Sequence, residues 1–260
     1  MSTKPKWLIA GGMGFIGRNL VKYLLDNNLA SEIRVADKRA KFMAFLSADH
    51  KAALDHEAVE AVQVDVSDEE SVDKIFEESR GGGAWDFVVN CAAEMDLTRP
   101  EAFHAKASEG ARLLARAASA AHVKRFVQVS TAQVYASTAK ASAEGGKLAP
   151  WTLAAEYALK AEEAVRSTPG LAWVVLRPAI VYGPGDTTGL MPRAVIACTY
   201  KRMKDEKLEF LWGAELKMNT VHVFDVARAI FFAAKKAEAG SSACARGRGR
   251  ARRRRVGCAH

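Results

Sequence analysis

A chain of 260 residues, of which 49% are hydrophobic and 26% charged, has the composition of a globular protein with one large domain, or one domain and a small lobe. Its net charge of +8 includes seven arginines in residues 241–260; subtracting them leaves +1 for residues 1–240, which excludes a basic nucleic-acid-binding body. No apolar run reaches the roughly 18 residues of a membrane span, and the four cysteines lack zinc-site spacing, so we expect a cytoplasmic protein with reduced thiols and no metal.

Short apolar runs alternate with helical patterns through residues 1–178. The predicted strands are residues 7–10, 33–36, 59–64, 87–90, 125–129 and 171–176. The predicted helices are residues 15–25, 68–78 (with Ser67 as N-cap), 100–121 and 151–166. Nearly continuous apolar strands that alternate with helices are typical of a parallel sheet covered on both faces. The sequence therefore predicts an α/β fold, a Rossmann-type doubly wound parallel sheet.

The pattern changes after residue 178. Residues 179–240 contain a turn-rich segment, two helical patterns at 191–204 and 225–236, and a strand candidate at 208–212, which together indicate a small substrate lobe interleaved with the last strands. Residues 241–260 consist mostly of Ala, Gly and Arg, a composition that cannot bury a core. We expect this last segment to be disordered.

A glycine-rich turn joins the first predicted strand to the first helix. Gly11, Gly14 and Gly17 recur every third residue, with Phe15 and Ile16 between the last two. Glycine permits a tight turn and lets backbone N–H groups approach a pyrophosphate, and the N-terminus of the following helix favours negative charge. This spacing between a strand and a helix predicts a dinucleotide-binding site.

Asp37 ends the second predicted strand, 20 residues after Gly17. An acid at this position hydrogen-bonds the ribose hydroxyls of NAD and repels the 2′-phosphate of NADP. Lys38 and Arg39 follow it directly, and an arginine there is able to serve NADP. The sequence favours NAD and leaves NADP open.

Further motifs extend this pattern along the chain: Asp65-Val66, Asn90-Cys-Ala-Ala93 and Tyr157. Over residues 6–236 the chain resembles the extended short-chain dehydrogenase/reductase family, and within it the NAD-dependent epimerase/dehydratase branch. The resemblance implies that Asp65 and Val66 contact the adenine. It also implies that three residues pass beneath the cofactor and that a proline lies near the nicotinamide; these are Cys91, Ala92, Ala93 and Pro178.

The chemistry implied by the resemblance is hydride transfer at a carbinol carbon. Tyr157 is expected to act as general acid and base on the hydroxyl, and Thr131 to hydrogen-bond the same oxygen. The family places a lysine four residues after the tyrosine, whereas here Lys160 follows by three, which rotates it by about 100° around a helix. Lys160 therefore either supports Tyr157 in a weakened role or pairs with Glu156 on the surface.

Two departures from the family's sequence pattern restrict the reactions that we expect. The positions where sugar 4,6-dehydratases carry an acid pair are Ala132 and Gln133, which disfavours that dehydration. Met218 stands where nucleotide-sugar enzymes often carry an arginine, beside Lys217, so a sugar-type substrate competes with a less charged alcohol or ketone. Epimerisation and net oxidation begin with the same hydride transfer and both stay open.

Alternative functions follow from the same departures. The shifted lysine and an apparently truncated substrate lobe also fit a catalytically lapsed NAD(P)-binding sensor or assembly protein. The arginine-rich tail is either a functional basic segment that touches nucleic acid or, as its abrupt change in composition favours, an artefact of gene modelling. A homodimer is suggested by resemblance alone, and we expect no membrane partner.

Overall fold

The computed structural model describes residues 4–77, 79–137, 143–205, 218–236 and 241–243. Its strands, in chain order, are β1 (Lys6–Ala10), β2 (Glu32–Asp37), β3 (Val59–Gln63), β4 (Phe87–Asn90), β5 (Arg125–Val129), β6 (Trp173–Leu176), β7 (Ile180–Tyr182), β8 (Thr220–His222) and β9 (Ser241–Ala243). All strands of the main sheet are parallel, in the order β3-β2-β1-β4-β5-β6-β9, and β7 and β8 form a separate parallel pair.

Helices cover both faces of the main sheet. They are α1 (Phe15–Asp26), α2 (Ala48–Leu54), α3 (Glu69–Phe76), α4 (Glu101–Ala120), α5 (Leu153–Arg166), α6 (Leu190–Lys204) and α7 (Val223–Lys236). Trp7 and Ile9 of β1 point into the core under α1 and α7, and Leu8 and Ala10 point into the core under α3, α4 and α5. This alternation confirms the predicted doubly wound α/β fold.

The strand order reverses at β1, which pairs with β2 on one side and with β4 on the other. Ala10 lies opposite Ala36 of β2 and Asn90 of β4, so the carboxyl ends of the three strands are level. The loops that follow diverge to opposite faces of the sheet and leave a crevice between them, which is where ligands bind in open α/β sheets.

Helix boundaries differ from the predictions where capping residues decide them. Ser67 was the predicted N-cap of α3, but Asp68 holds that position and its carboxylate accepts from the backbone N–H of Ser71 at 2.9 Å. Helix α5 starts two residues later than predicted, because Thr152 caps it by accepting from the N–H of Ala155. At α3, the carboxylate of Asp68 is a stronger acceptor for the helix N–H groups than the hydroxyl of Ser67.

Beyond β6 the structure adds elements that the sequence did not predict. Ser241–Ala243, expected to be disordered, instead form β9 along the edge of β6, with Ser241 opposite Val174. Backbone hydrogen bonds to an open sheet edge do not require apolar side chains, which composition alone does not capture. The predicted strand at 208–212 and the rest of the tail, residues 244–260, lie outside the described residues.

Candidate functional site

The glycine turn after β1 is packed against backbone on two sides. Gly11 has φ +73°, and a Cβ there would lie 2.6 Å from the amide nitrogen of Ala92. A Cβ at Gly17 would lie 2.4 Å from the carbonyl oxygen of Gly11. Real Cβ atoms do not approach other atoms so closely, so both positions require glycine. The turn brings β1, the start of α1 and the loop after β4 into direct contact.

Helix α1 begins at the mouth of this turn. Gly14 is its N-cap and supplies no side-chain hydrogen bond, and Phe15 and Ile16 are half-buried in the first turn. The first N–H groups of a helix have no partner within the helix and carry partial positive charge. Because the N-cap has no side chain that accepts hydrogen bonds, these groups are open to an anion such as a pyrophosphate.

Asp37 lies at the carboxyl end of β2 and its side chain is buried. Its Oδ2 accepts from the backbone N–H of Met13 at 2.9 Å, and its Oδ1 accepts from the N–H of Arg39 at 3.0 Å. The guanidinium of Arg39 lies 3.6 Å from the same Oδ1. Because a carboxylate has about four lone-pair sites, these bonds leave acceptor capacity for ligand hydroxyls.

Asp65 and Val66 follow β3 at the same edge of the sheet. The Oδ1 of Asp65 accepts from the backbone N–H of Ser67 at 2.9 Å, and this bond holds the pKa of the Asp65 carboxyl below its usual range. Val66 packs against α4 at Gly110, where a Cβ would lie 2.8 Å from a methyl carbon of Val66. The exposed carboxylate of Asp65 therefore stays ionised beside a fixed apolar wall.

The loop after β4 forms the floor of the crevice. The N–H of Cys91 donates to the carbonyl of Ala10 at 2.8 Å, and the side chain of buried Asn90 accepts from the N–H of Ala92 at 3.0 Å. Burial raises the pKa of the Cys91 thiol to about 12, so the thiol is protonated and acts as an apolar surface. Ala93, the last residue of this floor, is exposed.

A cavity of about 40 Å³ lies where this floor meets α4, α5 and the end of β5. Thr131 and Tyr157 both line it. Thr131 is buried and caps a short 3-10 turn by accepting from the N–H of Gln133 at 3.2 Å. Pro178 is buried beside it, and its carbonyl accepts from the N–H of Ala132 at 2.8 Å.

Tyr157 and Lys160 do not adopt the arrangement that the resemblance implied. The hydroxyl of Tyr157 donates to Oε1 of Glu101 at 2.7 Å, and among the described residues it makes no hydrogen bond with Thr131. The ammonium of Lys160 lies 3.7 Å from the centre of the Tyr157 ring, over its face. The alternative ion pair of Lys160 with Glu156 is absent from the described part of the chain. Lys160 thus makes a cation–π contact.

Two parts of this site were missed by the sequence analysis. His104 of α4 lines the cavity and stacks on Tyr157, with ring centres 6.3 Å apart. Glu162 of α5 accepts from Ser130 at 2.6 Å and pairs with Arg177, whose guanidinium also donates to Tyr135 at 2.9 Å. The spacing of His104 and Ser108, one helical turn apart on a helix facing the predicted site, was the available signal for the first.

The family model of the NAD-dependent epimerase/dehydratase family matches residues 7–244, nearly the whole described chain. The chain belongs to this family. The match confirms the resemblance and the extended short-chain dehydrogenase/reductase assignment that the glycine turn and Asp37 suggested. It also extends through β9, where the sequence analysis expected a disordered tail.

Two curated relatives and one solved structure illustrate the similarity. The chain is 36% identical over 132 residues to the low-salt glycan biosynthesis protein Agl12 of Haloferax volcanii, and 30% identical over 197 residues to a dTDP-glucose 4,6-dehydratase of Actinoplanes sp.. These matches cover 49% and 69% of this chain, and 40% and 58% of the relatives, so the chain spans about half the length of the curated relatives it matches.

The solved structure is dTDP-glucose 4,6-dehydratase from Bacillus anthracis in complex with NAD. It superposes with a TM-score of 0.78 at 26% identity, covering 94% of this chain and 76% of that one. Every helix in the described residues is too short or too polar to span a lipid bilayer. The same residues contain no group of three or more His, Cys, Asp or Glu side chains arranged to hold a metal ion.

Proposed function

We propose that this chain binds NAD along the crevice and transfers hydride at a carbinol carbon of a substrate held in the cavity between α4 and α5. The backbone packing of Gly11 and Gly17 carries the proposal, since it forms a cradle that any Cβ would fill, below an uncapped helix N-terminus. When bound, the nicotinamide supplies the hydride acceptor. The Bacillus anthracis relative binds NAD, which supports this choice.

The residues proposed to hold the cofactor follow the crevice from one end to the other. The glycine turn and the start of α1 bind the pyrophosphate, Asp37 accepts from the ribose hydroxyls, and Asp65 with Val66 borders the adenine. The remaining contacts come from the floor and from the end of β6: Cys91, Ala92, Ala93 and Pro178. The charge of Asp37 favours NAD over NADP, while the neighbouring Arg39 makes NADP the competitor to test.

The proposed reaction is oxidoreduction or epimerisation. Thr131 binds the reacting oxygen, Tyr157 exchanges its proton, and Lys160 has a secondary role through the Tyr157 ring. A curated relative is named a 4,6-dehydratase, but Ala132 and Gln133 supply no acid pair here, and Gln133 accepts from the Thr152 hydroxyl at 3.1 Å. The names of relatives point to sugar nucleotides as one substrate class.

Calorimetric titration of NAD and NADP into the chain and into Asp37→Asn tests the cofactor proposal. The amide keeps an acceptor for the N–H of Met13 in the glycine turn, and it removes both the charge and the bond from the N–H of Arg39. We expect NAD to bind and to weaken about fivefold in the variant, because hydrogen bonds to charged groups exceed neutral ones by about 1 kcal/mol. Failure of both nucleotides to bind, or tighter binding of NADP, contradicts the proposal.

A second candidate function, cofactor binding without turnover, is favoured by one observation. The Tyr157 hydroxyl donates to Glu101 rather than pointing to Thr131. If the protein is an enzyme, Glu101→Ala releases the hydroxyl and keeps or raises turnover, while Tyr157→Phe abolishes turnover without changing NAD affinity. A lapsed protein binds NAD in all three forms and shows no substrate-dependent absorbance of reduced nicotinamide with any sugar nucleotide or alcohol.

A further inference from the structure

His104 occupies the cavity wall opposite the helix that carries Tyr157. It is 1% exposed, and Ser108, one turn further along α4, lines the same cavity. From α5, the cavity is lined by three alanines in addition to Tyr157: Ala154, Ala158 and Ala161. The polar residues that line the cavity come from every side of it: Glu94, His104, Ser108, Gln128, Ser130, Thr131 and Tyr157. None of the motifs in the sequence analysis assigned His104 a role.

One ring nitrogen of His104 is hydrogen-bonded, and this bond shows which nitrogen is free. Nδ1 lies 3.1 Å from the carbonyl oxygen of Glu94, and because a carbonyl only accepts, Nδ1 carries the proton. In the neutral imidazole Nε2 is then an acceptor with a free lone pair. Nε2 is fully buried and has no hydrogen-bond partner among the described residues. A buried acceptor without a partner costs free energy until a donor reaches it.

Two neighbours orient this ring. The bond to Glu94 holds one edge of the ring, and the Tyr157 ring lies beside it, with 30° between the ring planes. The Tyr157 hydroxyl is occupied by Glu101, so it does not donate to Nε2. The cavity has room for an ordered water or for one small polar group of a ligand. A fixed acceptor beside such a space is suited to recognise a hydroxyl group.

We propose that Nε2 of His104 accepts a hydrogen bond from a hydroxyl group of the substrate, so that beside His104 the cavity favours a hydroxyl over a carbonyl oxygen. A neutral Nε2 accepts from a carbinol O–H and offers no donor to a ketone oxygen. This assignment rests on the proposed function only in placing the substrate in the cavity. The Nδ1 proton follows from the contacts of His104 alone, and the acceptor role of Nε2 follows from it for the neutral ring.

Nitrogen NMR of the full chain labelled with ¹⁵N-histidine tests the proposal, with 2-propanol and acetone as matched probes. We expect His104 to be the Nδ1–H tautomer, and 2-propanol to move its Nε2 resonance upfield, while acetone leaves it in place. His104→Gln identifies the signal by its loss. An Nε2–H tautomer, an unmoved resonance, or equal responses to both probes overturns the proposal.

The same samples separate this proposal from the proposed function. The titration is run with and without saturating NAD, whose binding is measured by calorimetry. If NAD does not bind but the alcohol response of His104 persists, the proposed function fails and the acceptor role stands. The acceptor role fails, and the proposed function stands, if two results occur together. NAD binds to His104→Gln as tightly as to the wild type, and the wild-type His104 resonance does not move with 2-propanol.

Discussion

The two ends of the crevice are built differently. At the glycine turn, backbone contacts backbone, and the side chain of Asp37 is engaged by the N–H groups of Met13 and Arg39. At the cavity between α4 and α5, side chains from separate helices meet, and their polar atoms are only partly satisfied by one another. His104 keeps a buried acceptor without a partner among the described residues, and Tyr157 turns its hydroxyl towards Glu101.

This difference separates binding from chemistry. A backbone cradle has one geometry, which glycine spacing enforces, so it is complete before any ligand arrives. A side-chain site with unsatisfied groups gains its partners from the ligand, and its specificity follows from which groups are left open. The cofactor end is therefore expected to tolerate few substitutions, and the cavity end to change its ligand when single side chains change.

The largest expected effect concerns the wall behind the cavity, where Glu162 is 1% and Arg177 2% exposed. The Oε1 of Glu162 accepts from Arg177 at 2.8 Å, and this contact with the carboxylate raises the pKa of the arginine. We expect Glu162→Gln to lower the free energy of unfolding by about 3–5 kcal/mol, because a buried guanidinium loses its counter-charge. Urea unfolding measures this.

Glu163→Gln is the matched control, since the neighbouring side chain is exposed. We expect it to change the free energy of unfolding by less than about 0.5 kcal/mol. A cost below about 1 kcal/mol for Glu162→Gln would mean that the pair behaves like an exposed ion pair. The Glu162–Arg177 pair would then not hold the wall of the cavity in place.

The second-largest expected effect is a loss of NAD affinity when the glycine turn is changed. Gly17→Ala places a Cβ 2.4 Å from the Gly11 carbonyl oxygen, whereas Gly14→Ala places one no closer than 3.0 Å to the same atom. We expect Gly17→Ala to weaken NAD about 100-fold, or about 2.7 kcal/mol, because the turn must open. Gly14→Ala requires a shift of only tenths of an ångström, so calorimetry should show a much smaller loss. Equal losses would show that backbone packing does not set the affinity.

The sequence predicted the glycine turn better than the cavity between α4 and α5, and the reason is physical. Close backbone approach at Gly11 and Gly17 excludes side chains, and this exclusion is visible as spacing in the sequence. The direction of the Tyr157 hydroxyl depends on how α5 packs against the start of α4, where Glu101 lies, and no local pattern encodes that packing. The position of His104 depends on the same contact.

The helices and strands show the same difference between features set by local sequence and features set by tertiary packing. Strands β4 and β5 have the predicted bounds, because continuous apolar runs define buried parallel strands. Helix α2 was not predicted, since its seven residues include only two buried ones, His50 and Leu54, too few for a helical period. Its start is fixed by Ser47, which accepts from the N–H of His50 at 3.3 Å, and by tertiary contacts.

The smallest effect tests a side-chain network on the outer side of the turn. Buried His50 lies 2.8 Å from the Ser47 hydroxyl through Nδ1 and 3.1 Å from Oδ1 of Asn19 through Nε2. The amide nitrogen of Asn19 donates to the carbonyls of Phe15 and Pro184, which ties α1 to the loop after β7. Burial, followed by the positive charges of Arg18 and Lys22, lowers the pKa of His50.

Because the pKa of His50 is lower in the folded than in the unfolded chain, the unfolded state binds the proton first as the pH falls. The stability from neutral His50 is therefore complete above the unfolded pKa of about 6.5 and is lost below it, by at most about 1.4 kcal/mol per pH unit. Urea unfolding between pH 7.5 and 5 should show a shallower pH slope in His50→Gln than in the wild type. If His50→Gln keeps the wild-type slope, the imidazole is free to take up its proton in the folded state, and burial beside the turn does not hold His50 neutral.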